Sequence, residues 1–218
     1  SANVGSFASL LHETIKIAQE TFGPSHRPIN ILQLTHSGRY SRPEGKAAPL
    51  VPQHDPILDP ALGISSDSPL ISDAYLDDLI GAYVQSALLA QEAGYDGVDI
   101  KSCHRYLISE LLACYTRPGK YGGSFENRTR FPLTIIKEIR NAVGSDFIIA
   151  SRLNVFDAHP YPYGWGVDEK DFLEPNLNEP LKYIKLLKKQ GINLLSTSAG
   201  NPYSPIAYIT RPFDQSII

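Results

Sequence analysis

Gly97-Val98-Asp99-Ile100-Lys101-Ser102-Cys103-His104-Arg105-Tyr106-Leu107, followed closely by Lys120-Tyr121-Gly122-Gly123-Ser124-Phe125-Glu126-Asn127-Arg128, decides how the rest of the chain is read. The first stretch starts as a short buried strand and ends in polar, titratable residues, so that Lys101, His104 and Tyr106 gather at one strand end. Period-two alternation sends Val98 and Ile100 to one side of that strand and Asp99 and Lys101 to the other. A lone carboxylate or ammonium facing a sheet interior is costly to desolvate, so Asp99 is expected to pair with Lys101 or another cation.

Outward from this strand, periods of helix and strand alternate. Phe7 to Phe22 carries Leu10, Leu11, Ile15, Ile17 and Ala18 near helical spacing and stops at Gly23-Pro24. Ile29 to Leu34 reads as a buried strand, and a long polar, Pro-rich passage runs from Thr35 to Pro69, a length usually reserved for functional or mobile loops. Ser72 or Asp73 caps a second helix that places Leu76, Leu79, Ile80, Tyr83, Ala87 and Ala90 on one face and ends at Gly94. Asp96–Lys101, Phe147–Leu153 and Asn193–Ser198 read as strands, Phe131–Val143 and Leu181–Lys189 as helices.

Short apolar strands alternating with helices predict an α/β fold with a parallel sheet and right-handed crossovers. A doubly wound open sheet is disfavoured, because no GxGxxG follows a strand and no GxxxxGK[ST] occurs. A (β/α)8 TIM barrel is favoured, because Gln33, Lys101 and Arg152 fall at strand C-terminal ends, the face that carries chemistry in barrel enzymes. Four strands are half of such a barrel. Residues 1–218 are therefore expected to form part of a single barrel domain, with further strands or C-terminal domains outside this sequence.

Composition narrows the function classes. With 20 Lys+Arg against 23 Asp+Glu, a net charge of -3 and no basic stripe, neither nucleic acid nor an anionic membrane is expected as a partner. No run approaches the roughly 18 apolar residues of a membrane span, and the start of the chain lacks a signal pattern. Two cysteines without CxxC spacing suit a reduced cytoplasmic setting, and the histidines show no metal-binding HxxxH or HExxH spacing. No Met occurs among the 218 residues, which is unusual for a natural chain, so spacings within motifs weigh more here than spacings across loops.

Taken in order, Ile31-Leu32-Gln33-Leu34-Thr35-His36-Ser37-Gly38-Arg39, the Gly94–Leu107 stretch, Tyr121-Gly122-Gly123-Ser124-Phe125-Glu126-Asn127-Arg128-Thr129-Arg130-Phe131 and Ser151-Arg152-Leu153 resemble the old yellow enzyme family of FMN-dependent ene-reductases. The likeness runs from about Ile29 to Asp214 and extends to the barrel domain of 2,4-dienoyl-CoA and enoate reductases. It implies an oxidoreductase in which FMN takes hydride from NAD(P)H and passes it to the alkene of an α,β-unsaturated carbonyl compound. A [4Fe-4S] cluster would be implied only with a C-terminal region beyond this sequence, and a homo-oligomer is compatible.

Residue by residue, the resemblance implies that Gln33 bonds the flavin's pyrimidine edge and that Arg152 stands near its N1 and C2 carbonyl, where positive charge favours the reduced, anionic ring. Lys101 and His104 stand where the family carries a histidine pair, or a histidine and an asparagine, that holds the substrate's carbonyl oxygen. Tyr106 matches the residue that protonates the α-carbon, a role open to a phenol that is neutral at pH 7. Lys101 in place of the first histidine and Arg105 in place of a glycine depart from the pattern.

Plainer roles compete. Lys101 could be a solvated strand-end lysine, His104 a helix-capping histidine with Ser102 as N-cap, Tyr106 a packing residue, Gln33 a partner of neighbouring backbone, and Arg152 a counter-ion for Asp99. Gly122-Gly123 with Glu126 and Arg128 reads as a structural turn with local ion pairing, and Cys103 as a small buried filler. Two other functional classes stay open: a Schiff-base enzyme of the class I aldolase kind built on Lys101, and a catalytically silent flavin-binding barrel.

Overall fold

The computed structural model describes residues 3–203. Its order is α1 (Val4–Phe22), β1 (Ile31–Leu34), α2 (Leu58–Ala61), α3 (Asp73–Glu92), β2 (Gly97–Ser102), α4 (Leu107–Leu112), α5 (Phe125–Val143), β3 (Ile148–Phe156), α6 (Asn178–Lys189) and β4 (Leu194–Ala199). The four strands form one parallel sheet in the order β1-β2-β3-β4, each joined to the next through at least one helix. This is the sequential strand order of a barrel wall, as the alternation of periods predicts.

Register aligns the side chains in rows. Gln33 pairs with Asp99, Asp99 with Ala150, and Lys101 with Arg152, so these residues share one face of the sheet. The other face is fully covered: Val98, Ile100, Ile149 and Leu153 pack with Leu76, Phe131, Ile135, Ile139 and Leu187 from the helices. Burial of Phe131, Ile135, Ile136 and Ile139 contributes about 1.5–3 kcal/mol each, which makes α5 the main clamp on the sheet. Helix α3 is set by Ser72, whose Oγ accepts from the Tyr75 amide at 3.0 Å, and Gly94 follows it at φ +92°.

Several boundaries differ from expectation. Helix α5 begins at Phe125, six residues before the predicted Phe131, because Ser124 caps it through the Asn127 amide at 3.3 Å and Pro132 is accommodated inside it. Strand β3 runs on to Phe156, with a register shift between Asn154 and Phe156, and α6 starts at Asn178. All six residues of α4 are buried, so it shows no amphipathic stripe to set its extent, and it begins at Leu107 rather than directly after Ser102. The stripe expected on α1 does not pack as a unit: Leu11 is its one buried residue, whereas Leu10 and Ile17 are exposed.

Candidate active site at the strand ends

The Thr35–Pro69 passage is anchored rather than loose. The Leu107 amide donates to the His36 carbonyl at 3.1 Å, which ties this loop to the exit of β2. Gly38, at φ +58°, lies so close that a Cβ would stand 3.1 Å from the Leu107 nitrogen. Arg39 is buried between Glu110 and Asp59 and also donates to the Gln53 carbonyl at 3.1 Å. His-Ser-Gly-Arg and the residues around Tyr106-Leu107 are thus two halves of one junction.

At the end of β2 the chain passes through left-handed conformations at His104 (φ +62°) and Arg105 (φ +55°) before Tyr106 takes the N-cap position of α4. Ser102 does not cap a helix. The two unusual dihedrals are held by Arg105, whose guanidinium is buried and donates to Asp157 at 3.1 Å and Asp55 at 3.3 Å. His159 also meets Asp55, at 2.8 Å. Burial alone would raise the Asp55 carboxyl, but the His159 hydrogen bond and the Arg105 charge hold it far below the usual carboxylate range. The residue that departs from the family's glycine is therefore matched by carboxylates about 50 residues away on either side.

On the open face, the expected Asp99 ion pair does not form. Asp99 instead accepts from the Gln33 carboxamide at 2.6 Å, and among the described residues it makes no salt bridge with Lys101 or Arg152. A carboxamide satisfies one oxygen at less desolvation cost than a buried ion pair would carry. The other oxygen of Asp99 and the Arg152 Nε are buried without a hydrogen-bond partner among the described residues.

Lys101 points its ammonium at Tyr106, with Nζ 3.6 Å from the ring centroid. Burial lowers the proton affinity of Lys101, and the neighbouring Arg152 charge adds to this against the opposing influence of Cys103 and Asp99. Burial, then the Arg152 and Lys101 charges, hold His104 below the ordinary imidazole value, so it is neutral at pH 7. The Tyr106 hydroxyl meets that of Tyr203 at 3.0 Å, and its pKa is pushed up to about 12 by that bond and by burial. Tyr106 is thus a neutral phenol at physiological pH. Cys103 is buried beside the cluster, and burial raises its thiol pKa.

Lys101, His104, Tyr106 and Arg152 are brought together electrostatically, and Gln33 lies one row below through Asp99. Sequence reading missed Tyr40 and Tyr203, which stack at 4.2 Å beside Tyr106, and the buried carboxylates Asp55 and Asp157. None of these four lies in a motif; only distance in space joins them to the site.

The Tyr121–Phe131 run is structural, as read, but its ion pairing is tertiary rather than local. Arg128 donates to the Gly123 carbonyl at 2.9 Å and to Glu179 of α6 at 2.6 Å, and Glu126 meets Lys182 of α6 at 3.0 Å. Tyr121 donates to Asp77 of α3 at 2.6 Å. This motif fastens α3, α5 and α6 together behind the sheet.

Residues 27–201 match the NADH:flavin oxidoreductase / NADH oxidase family. The chain is 34% identical to an NADH oxidase of Thermoanaerobacter brockii over 78% of its length and 24% of the relative's, and 30% identical to an NADPH dehydrogenase of Geobacillus thermodenitrificans over 87% and 49%. It spans less than half the length of either relative. Among solved structures, TcOYE with pHBA superposes with a TM-score of 0.67 at 20% identity, covering 94% of this chain and 57% of the other. A 2-naphthoyl-CoA reductase bound to 2-naphthoyl-CoA superposes with a TM-score of 0.63 at 23% identity, covering 94% and 30%. These likenesses mark the four-stranded sheet as part of a barrel; residues 204–214, where the sequence resemblance continues, lie outside the described residues. The strand-end cluster stands on a partial barrel whose sequence matches from residue 27 to residue 201, and the chain belongs to the NADH:flavin oxidoreductase / NADH oxidase family.

Proposed function

We propose that residues 1–218 are part of an FMN-binding barrel that reduces the alkene of α,β-unsaturated carbonyl compounds with NAD(P)H as reductant. One observation carries this reading: a neutral phenol, a neutral imidazole and two cations share one strand-end face, and Arg152 there has a buried donor without a partner among the described residues. That donor set suits the flavin. The Arg152 guanidinium would face the electron-rich N1 and C2 carbonyl edge, and the Gln33 carboxamide the neighbouring polar edge of the pyrimidine ring. When bound, FMN supplies the hydride that it has taken from NAD(P)H.

The protein's own residues would do the rest. Neutral His104 donates a hydrogen bond to the substrate's carbonyl oxygen and stabilises the charge that develops there. The Lys101 ammonium adds positive charge beside the Tyr106 ring. Tyr106 holds the proton destined for the α-carbon.

Tyr106→Phe tests the assignment by stopped-flow measurement of both half-reactions. Alkene reduction is expected to slow by roughly 100-fold or more, the contribution of a positioned general acid, while flavin reduction by NADPH changes little. Wild-type rates in both half-reactions would remove Tyr106 from this role. Arg152→Ala is expected to weaken FMN retention, measured by equilibrium dialysis; unchanged affinity would sink its role. The lowered proton affinity of Lys101 also favours a second reading, amine attack on a carbonyl to form a Schiff base. Borohydride trapping of a carbonyl substrate on Lys101 would support that reading against the first.

A further inference from the structure

Tyr203 follows β4 in a turn held by its own amide, which donates to the Asn201 side chain at 3.0 Å. Its ring lies nearly parallel to that of Tyr106, at 17° with centroids 6.0 Å apart, and rests on Tyr40 at 4.2 Å. The hydroxyls of Tyr106 and Tyr203 are 3.0 Å apart, and either can donate. Tyr203 is 45% exposed, whereas the Tyr40 hydroxyl is buried without a partner among the described residues. Tyr40 therefore forms the packing floor of the trio, and Tyr203 is its most solvent-exposed member. On the other side of Tyr106, the Lys101 ammonium stands 3.6 Å from the ring centroid.

We infer that Lys101, Tyr106 and Tyr203 form one proton-delivery unit, in which Tyr203 resupplies from solvent the proton that Tyr106 gives up and Lys101 stabilises the tyrosinate formed in between. The inference rests on the proposed role of Tyr106 as proton donor. As hydride reaches the β-carbon, the Tyr106 O–H bond breaks, a C–H bond forms at the α-carbon, and the electron pair stays on the Tyr106 oxygen. Tyr203 then rotates its hydroxyl to donate, passes its proton to that oxygen, and takes one from hydronium or a buffer acid. A full positive charge over the ring favours the anionic phenol in a way that a neutral histidine would not. Lys101 in place of the expected histidine thus acts on the proton donor rather than on the substrate's carbonyl. Tyr203 and Lys101 act through Tyr106 and are positioning residues.

The test uses the FMN-loaded protein with 2-cyclohexenone as probe, in H2O and D2O. Tyr203→Phe and Lys101→Met are each expected to slow alkene reduction about tenfold and to raise its solvent isotope effect, because proton delivery becomes the slow step. The dissociation constant for the enone should stay within about twofold in Lys101→Met, since a uniform binding contact would appear there. A second readout needs no turnover: in protein carrying 13Cζ-tyrosine, the Tyr106 resonance, assigned by its loss in Tyr106→Phe, should titrate at higher pH in Lys101→Met, which removes the positive charge over its ring. Unchanged isotope effects and an unmoved titration overturn the unit while leaving Tyr106 as donor. Weaker enone binding in Lys101→Met with no isotope change overturns the part given to Lys101. Wild-type alkene reduction in Tyr106→Phe instead defeats the proposed function beneath it.

Discussion

Arg105 occupies a left-handed backbone position that costs a side-chain-bearing residue of order 1 kcal/mol or more, yet it is buried and held by two aspartates. Its guanidinium sets the turn that carries His104 and Tyr106, so the strain and the ion pairs are one arrangement. Arg105→Met is expected to lower stability by about 3–5 kcal/mol, because Asp55 and Asp157 would stay buried without their cation. Urea denaturation measures this, and a loss under 1 kcal/mol would show that the carboxylates find other partners. That Gln33, Lys101 and Arg152 share one sheet face, with His104 and Tyr106 just beyond β2, was legible in the sequence because each lies at or next to a strand end. The partners of Arg105 were not: no local pattern marks a carboxylate 50 residues away as its counter-ion.

Elements were legible where one face is apolar and the other polar, and illegible otherwise. Helix α3 shows a clean stripe with a serine cap at its start, and its extent follows from them. Helix α5 opens with Glu126-Asn127-Arg128-Thr129-Arg130 and then Pro132, which reads as loop. Its first turns are helical because Ser124 caps them and because the Arg128 side chain is bound from outside, by Gly123, Leu112 and Glu179. Gly122 leads into this turn, and a Cβ there would stand 2.3 Å from the Arg117 carbonyl oxygen. Gly122→Ala is therefore expected to displace the start of α5 and to cost about 1–3 kcal/mol, the usual range for overpacking. A thermal melt at the wild-type midpoint would count against this close packing.

Across the whole molecule, the parallel order β1-β2-β3-β4 was legible because strand and helix periods alternate, whereas the buried path of the Thr35–Pro69 loop was not, its polar residues being satisfied only in three dimensions. His36 couples that loop to stability. Its Nδ1 lies 3.1 Å from the Gly38 amide and must accept, and its Nε2 lies 3.0 Å from the Tyr75 hydroxyl. Burial lowers its pKa, so the folded form resists a proton that the unfolded chain accepts near 6.5. Its stabilisation is present above that value and is lost as pH falls through the lower folded one. Between pH 8 and pH 5.5, the urea midpoint of the wild type should therefore fall further than that of His36→Asn; equal changes would remove His36 from the pH response.

The longest exposed stretch of the same loop, residues 42–49, lies between the buried Arg39 and the residues bound by Arg117. Glu44 is left-handed there, and Lys46 is open to solvent. On either side the chain is fixed by charge and backbone bonds that do not depend on this span being intact. A single tryptic cut after Lys46 should thus yield two polypeptides that separate in detergent yet migrate as one species in a native gel. The protein would then behave as a complex of two fragments, with Gln33 on one and Lys101, His104, Tyr106 and Arg152 on the other.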